Sequence, residues 1–225
     1  TLAGSYLYLG YPKTNDVYLM VMFPIILVAA TAGILASQLS VIMLKISGWK
    51  KRKLTTDKAN VIFLVGCALI IASIAYFINH EILGSGKEIM ERVLFTKDKH
   101  EDWYVPILRM LGPALSFTSG GAGGIFAPAL TAGASIGSVI SGAIHLTPNE
   151  TNVVILGGMV AFLTGITRAP FTSAIIVLEM TDRHSLIFHL MLAGMVSSIA
   201  SILVSRHSLY DVLKVNFLTE IRQRD

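Results

Sequence analysis

Residues 119–130 read S-G-G-A-G-G-I-F-A-P-A-L. Gly120, Gly121, Gly123 and Gly124 run straight into Ile125, Phe126, Ala127 and Pro128, with apolar sequence on both sides. In water, a glycine run of this kind is a surface loop, because glycine loses the most conformational freedom on folding and leaves its backbone exposed. Here the flanking sequence argues for a different solvent. The 225 residues are 53% hydrophobic and 14% charged, with a mean hydropathy of +0.67. A soluble globular domain carries about 25% charge. Charge is absent from residues 17–44, 59–79, 111–144 and 151–167. A membrane-spanning helix needs roughly 20 apolar residues, so these runs indicate an all-α membrane protein.

The periodicity and breaks place the elements. A first span is predicted over 17–46 and a second over 56–79, with the basic residues Lys45, Lys50, Lys51, Arg52, Lys53 and Lys58 clustered in and around the loop between them. Basic loops face the cytoplasm, so this one is expected inside. The net charge of +4 then reflects topology, and nucleic acid is not an expected partner. Residues 80–102 are polar and mixed in charge, which suits an external connection with a short helix at 88–94. A third segment over 103–118 starts with Trp103 and Tyr104 as an interfacial aromatic pair. Further helices are predicted over 124–145, 149–166, 171–180 and 186–204, and a last one ends near Arg222. Gly133, Ser135, Gly137, Ser138, Ser141 and Gly142 give the 124–145 helix a small-residue face for close packing. Cys67, the single cysteine, is expected to be a packing residue. The chain starts at Thr1 with no basic leader pattern.

Several of these helices are short and broken by Gly or Pro. Irregular backbone at membrane depth is tolerated only inside protein or beside a watery cavity. Broken helices whose N-termini meet near the midplane bind ions. The first N–H groups of a helix have no internal partner, and the helix dipole favours an anion there. Gly120–Gly124 would let the backbone approach the ion, and Pro128 falls early in the helix, where its missing N–H costs nothing. The apolar residues would shield the site from water.

The stretch S-G-G-A-G-G-I-F-A-P resembles the G-G-x-F-x-P signature of the CLC chloride channels and chloride/proton exchangers. Residues 158–182, G-M-V-A-F-L-T-G-I-T-R-A-P-F-T-S-A-I-I-V-L-E-M-T-D, resemble the helix pair that follows it in that family. S-L-Y-D-V-L at 208–213 resembles the start of the family's last membrane helix. The resemblance implies a CLC-type inverted-repeat fold of tilted, re-entrant and broken helices. It covers nearly the whole chain, residues 1–225, as the C-terminal half of the membrane domain only. The first-half patterns G-S-G-I-P and G-[KR]-E-G-P do not occur, and no CBS domain is expected in this chain. The implied function is transmembrane chloride transport, as a channel or as a chloride/proton antiporter, without enzyme activity and without a cofactor other than bound chloride. The N–H groups of Ile125, Phe126 and Ala127 and the hydroxyl of Tyr210 would bind chloride. Gly120, Gly121, Gly123, Gly124 and Pro128 would form the selectivity loop, with Gly121-Ala122 where many members have Ala-Pro. The implied partners are the lipid bilayer, the N-terminal half of the same transporter and a second copy in a homodimer, with Ile175, Ile176, Leu190 and Met195 at its interface. The implied location is the plasma or inner membrane.

Competing readings are weaker. Tyr210 alone could be an interfacial aromatic. Arg168, a charge in an apolar stretch, is expected to stabilise helix ends rather than bind the ion, and Glu179 is expected to be structural. Gly133-Ala134-Ser135-Ile136-Gly137 matches the G-x-S-x-G elbow of serine hydrolases, which would make this an intramembrane hydrolase. That chemistry needs a histidine in reach of Ser135, and the nearest, His145, is ten positions on. G-S-G-K-E at 84–88 lacks the ends of a phosphate-binding loop.

Overall fold

The computed structural model describes residues 9–14, 19–121 and 123–222. It is built from helices, with no strand among the described residues. The helices are α1 (Met22–Lys53), α2 (Asp57–Phe77), α3 (Lys87–Phe95), α4 (Val105–Ser119), α5 (Phe126–Ala143), α6 (Pro148–Thr167), α7 (Pro170–Thr181), α8 (Ile187–Val204) and α9 (Leu209–Arg222). Single turns of 3₁₀ helix lead into α1, follow α2 and lead into α8. Among the described residues, five helical stretches are long and apolar enough to cross a membrane: α1, α2, α5, α6 and His184–Val204.

Two expectations are corrected. The basic cluster at 50–53 is not a loop. It is the last turn of α1, which runs on seven residues past the predicted end at 46. Nothing in I-S-G-W-K-K-R-K breaks a helix outright, and cations at a helix C-terminus are favoured by the dipole. At 1.5 Å per residue α1 is about 48 Å long, more than the hydrocarbon layer. The predicted start of the span at Val17 lies outside the described residues. Leu190, placed at a subunit interface by the resemblance, is wholly buried within this chain, whereas Ile175 and Met195 are exposed.

The centre of the molecule is α6. A capping box starts it: the Thr147 hydroxyl accepts from the Glu150 N–H, and the Glu150 carboxylate accepts from the Thr147 N–H. Its residues from Thr151 to Ile166 are all buried, against α5 on one side and α1 and α8 on the other. Glycine makes the α5–α6 contact possible. A Cβ on Gly133 would run into the Gly158 carbonyl, and one on Gly158 into the Gly133 carbonyl. Gly165 meets Ala36 of α1 in the same manner. Lipid tails are as apolar as these side chains, so association rests on close packing and interhelical hydrogen bonds. The Ser201 hydroxyl donates to the Gly33 carbonyl at 2.9 Å, and the Ser37 hydroxyl to the Ser201 carbonyl at 3.1 Å. Such bonds contribute about 0.6 kcal/mol each.

Arg168 ends α6 in the left-handed conformation, φ 60°. Its guanidinium donates to the carbonyls of Ser198, Ser201 and Ser205 and to the Ser37 hydroxyl. It therefore closes the C-terminus of α8 and ties it to α1, the structural task expected of it.

Candidate functional site

The α4–α5 connection carries the glycine stretch. α4 ends with Gly120 in the left-handed region, φ +93°, where its N–H donates to the carbonyls of Phe117 and Ser116. A side chain there would be strained, so glycine is needed. Gly121 N–H also returns to α4, reaching the Ser116 carbonyl. Ala122 lies outside the described residues. The chain then enters α5 with Ile125 as N-cap and Phe126 and Ala127 as its first two residues. No side chain caps this end. Among the described residues the backbone ladder of α5 opens with Ala129 N–H donating to the Ile125 carbonyl at 2.9 Å. Pro128, just before it, has no N–H to lose. The first turn thus keeps the partial positive charge of a helix N-terminus.

This helix start forms one wall of a cavity of about 650 Å³, which Gly121, Gly123, Gly124, Ile125, Phe126 and Pro128 help to line. α4 supplies a second wall through Gly112, Pro113, Ser116 and Phe117, and the 82–85 loop a third. That loop is pinned from below. Arg109 of α4, fully buried, donates to the carbonyls of Glu81, Leu83 and Gly84. The Thr131 hydroxyl of α5 donates to the Ser85 carbonyl at 2.8 Å. Gly112 lets the loop lie on α4, since a Cβ there would be 2.6 Å from the Ile82 carbonyl oxygen.

Tyr210 reaches the Phe126 ring from the far end of the sequence. Ser208 and Asp211 form a reciprocal cap, with Asp211 N–H donating to the Ser208 hydroxyl at 2.9 Å and Ser208 N–H to the Asp211 carboxylate at 3.1 Å. The cap sets the first turn of α9 and puts Tyr210 in it. The Tyr210 and Phe126 ring centroids are 6.3 Å apart. Tyr210 is not among the cavity-lining residues, and neither is Gly120. Phe126 and Tyr210 are 43% and 39% exposed, so this side of the site is open in the chain by itself.

Three features of the site were not legible in the sequence. Arg109 and the 82–85 wall are joined by contacts across more than 24 residues, which no periodicity signals. In the sequence Lys50 is one member of a basic cluster. Its ammonium donates to the Ser119 carbonyl at 2.6 Å and to the Thr118 carbonyl at 3.3 Å, directly before the glycines. Ser135, by contrast, is no nucleophile in waiting. It is fully buried and its hydroxyl donates to the Thr131 carbonyl of its own helix.

A model of the voltage-gated chloride channel family matches residues 1–202. The chain belongs to that family. Its fold is similar to the crystal structure of a CLC-type fluoride/proton antiporter, with a TM-score of 0.75 at 17% identity over 93% of this chain and 50% of the other. It is also similar to the structure of a slow cyanobacterial chloride/proton antiporter, with a TM-score of 0.77 at 21% identity over 97% of this chain and 52% of the other. The chain spans about half the length of these two CLC structures, and the fold is that of the CLC family's broken-helix membrane proteins.

Proposed function

We propose that this chain supplies one half of a transmembrane chloride pathway, with the anion held by the N–H groups of Ile125, Phe126 and Ala127 and by the Tyr210 hydroxyl. The observation that carries the reading is the uncapped, glycine-fed start of α5, bordered by apolar residues and met by Tyr210 from α9. Backbone donors suit an ion that must also leave. They stabilise negative charge through fixed dipoles and need no counter-charge in the membrane. Gly120, Gly121, Gly123 and Gly124 give the loop its close approach, and Pro128 begins the helix without wasting a donor. The names of the two similar structures, both antiporters of a halide and protons, support an anion as cargo.

The site's open side calls for a cover. The N-terminal half of the same transporter is the proposed one, since this chain covers only 50% and 52% of the two matched structures. A second copy, docked on the exposed faces of α7 and α8 around Ile175 and Met195, completes a homodimer in the plasma or inner membrane. The protein on this reading is a transporter and not an enzyme, and uses no cofactor.

Chloride efflux from proteoliposomes holding the full-length protein tests the reading. Efflux well above that of empty vesicles is expected. Proton uptake driven by a chloride gradient then marks an exchanger, and its absence a channel. No chloride flux and no chloride binding would sink the proposal.

A further inference from the structure

The cytoplasm-directed end of α1 contains one lysine whose surroundings differ from those of its neighbours. Lys51, Arg52 and Lys53 are exposed, whereas Lys50 is half-buried. Its ammonium spans three helices. It donates to the last carbonyls of α4, Ser119 at 2.6 Å and Thr118 at 3.3 Å. It also lies 5.5 Å from the centroid of the Phe63 ring of α2, which meets Trp49 of α1 at 6.2 Å between centroids. The next residue after those carbonyls is Gly120, where an added Cβ would come 3.2 Å from the Lys50 nitrogen.

The position has an electrostatic consequence. A helix C-terminus carries about half a negative elementary charge. The α4 C-terminus lies only a few residues before the α5 N-terminus, so the glycine loop joins a negative helix end to a positive one. Left bare, the α4 end would oppose an anion at Ile125–Ala127. It would also leave the Ser119 and Thr118 carbonyls without the lysine's hydrogen bonds, and residues 120–124 carry no polar side chain to replace them.

We infer that Lys50 is a positioning residue for the anion site: its ammonium closes the C-terminus of α4, fixes the start of the glycine loop and offsets the negative helix end beside the bound anion. The inference rests on the anion reading above. Lys50 does not touch the ion. It acts through the α4 carbonyls and the loop, with the Phe63 ring 5.5 Å from the ammonium as a further favourable contact.

The test uses the full-length protein, with chloride affinity from calorimetry and the chloride dependence of flux in proteoliposomes. Lys50→Met is expected to weaken chloride binding roughly two- to tenfold, the range of a charge–helix-end interaction, and to raise half-saturating chloride by the same factor. Lys50→Arg keeps charge and donors and should stay within twofold of the parent. Lys50→Cys, in a background with Cys67→Ser and no other reactive cysteine, should bind weakly and recover after aminoethyl methanethiosulfonate restores the positive charge. The uncharged methyl reagent should not restore it. If Lys50→Met does not accumulate as a folded dimer, Lys50→Gln retains a donor without charge and is judged by the same limits. Unchanged affinity without the charge, equal loss in the Arg and Met variants, or recovery with the methyl reagent would each overturn the inference. A parent protein that binds no chloride fails the anion reading itself. A parent that binds chloride and loses affinity in Tyr210→Phe, but not in Lys50→Met, fails only the inference about Lys50.

Discussion

Tyr210 and Phe126 lie 84 positions apart in the chain and within ring contact in the fold. The two contribute different things. Phe126 offers an N–H and Tyr210 a hydroxyl, and only the second can be removed by ordinary mutagenesis without touching the backbone. A hydrogen bond to a charged group is worth roughly 1.5–3 kcal/mol, or about one to two decades in affinity. Tyr210→Phe should therefore weaken chloride binding by at most that range, because the backbone donors remain. The ring stays against Phe126, so the fold should hold. Unchanged affinity by calorimetry would make Tyr210 a packing aromatic. At this scale the sequence was informative where a motif carried the meaning. S-L-Y-D contains both the cap and the tyrosine, and G-G-I-F-A-P contains the helix start. It was silent on Arg109 and Lys50, whose partners are backbone carbonyls. A carbonyl belongs to every residue, so no residue type announces it as an acceptor.

The helices themselves were legible, and for a physical reason. In a membrane, every backbone group must be satisfied within the element, so an apolar run and its Gly and Pro breaks translate directly into helix bounds. The predictions over 149–166 and 171–180 each fall within one residue of the helix at either end. The miss at the end of α1 has the opposite cause. A run of charge reads as the end of a span, yet charge ends only the membrane-buried part, and α1 continues to Lys53. The connection after α3 holds a further feature that the charge count concealed. Arg92 pairs with both Glu81 and Glu101. Burial works against the Arg92 charge, but hydrogen bonds to Glu101 and Glu81 outweigh it and leave the guanidinium held above its ordinary value. Glu101, with its side chain 6% exposed, is affected the other way. Burial pushes its carboxyl up, and Arg92 only partly opposes this. The folded chain then holds the Glu101 proton more tightly than the unfolded chain does. That contribution to stability is complete below the unfolded carboxylate's pKa and is lost as pH rises through the raised folded value. Thermal unfolding in detergent should accordingly show a smaller gain in stability between pH 7 and pH 4 for Glu101→Gln than for the parent. An identical pH profile in the two proteins would show that Glu101 does not titrate in this way.

Across the whole molecule, α1 fixes the orientation. Its basic end, next to the α4 C-terminus, is expected on the cytoplasmic side, and α3 with the 96–102 loop outside. A cysteine in place of Lys97 should react with an impermeant thiol reagent added to intact cells, and labelling only after permeabilisation would invert the orientation. The family and its broken-helix architecture could be read from three short motifs in the right order. Among the described residues Phe126 and Tyr210 stay partly exposed, and the N-terminal half that the same motifs imply is the proposed cover. The central claim is narrower than the fold. It is that the backbone N–H of α5's first turn binds the anion. Replacing Phe126 by its α-hydroxy acid turns one amide into an ester, deletes that single N–H and leaves the side chain intact. The same exchange at Leu130, inside the helix, controls for the weakened ladder. Calorimetry on the two full-length, correctly assembled proteins is expected to show chloride affinity about ten- to a hundredfold weaker for the ester at 126 and near that of the parent for the ester at 130. Equal affinity in all three proteins would contradict the claim.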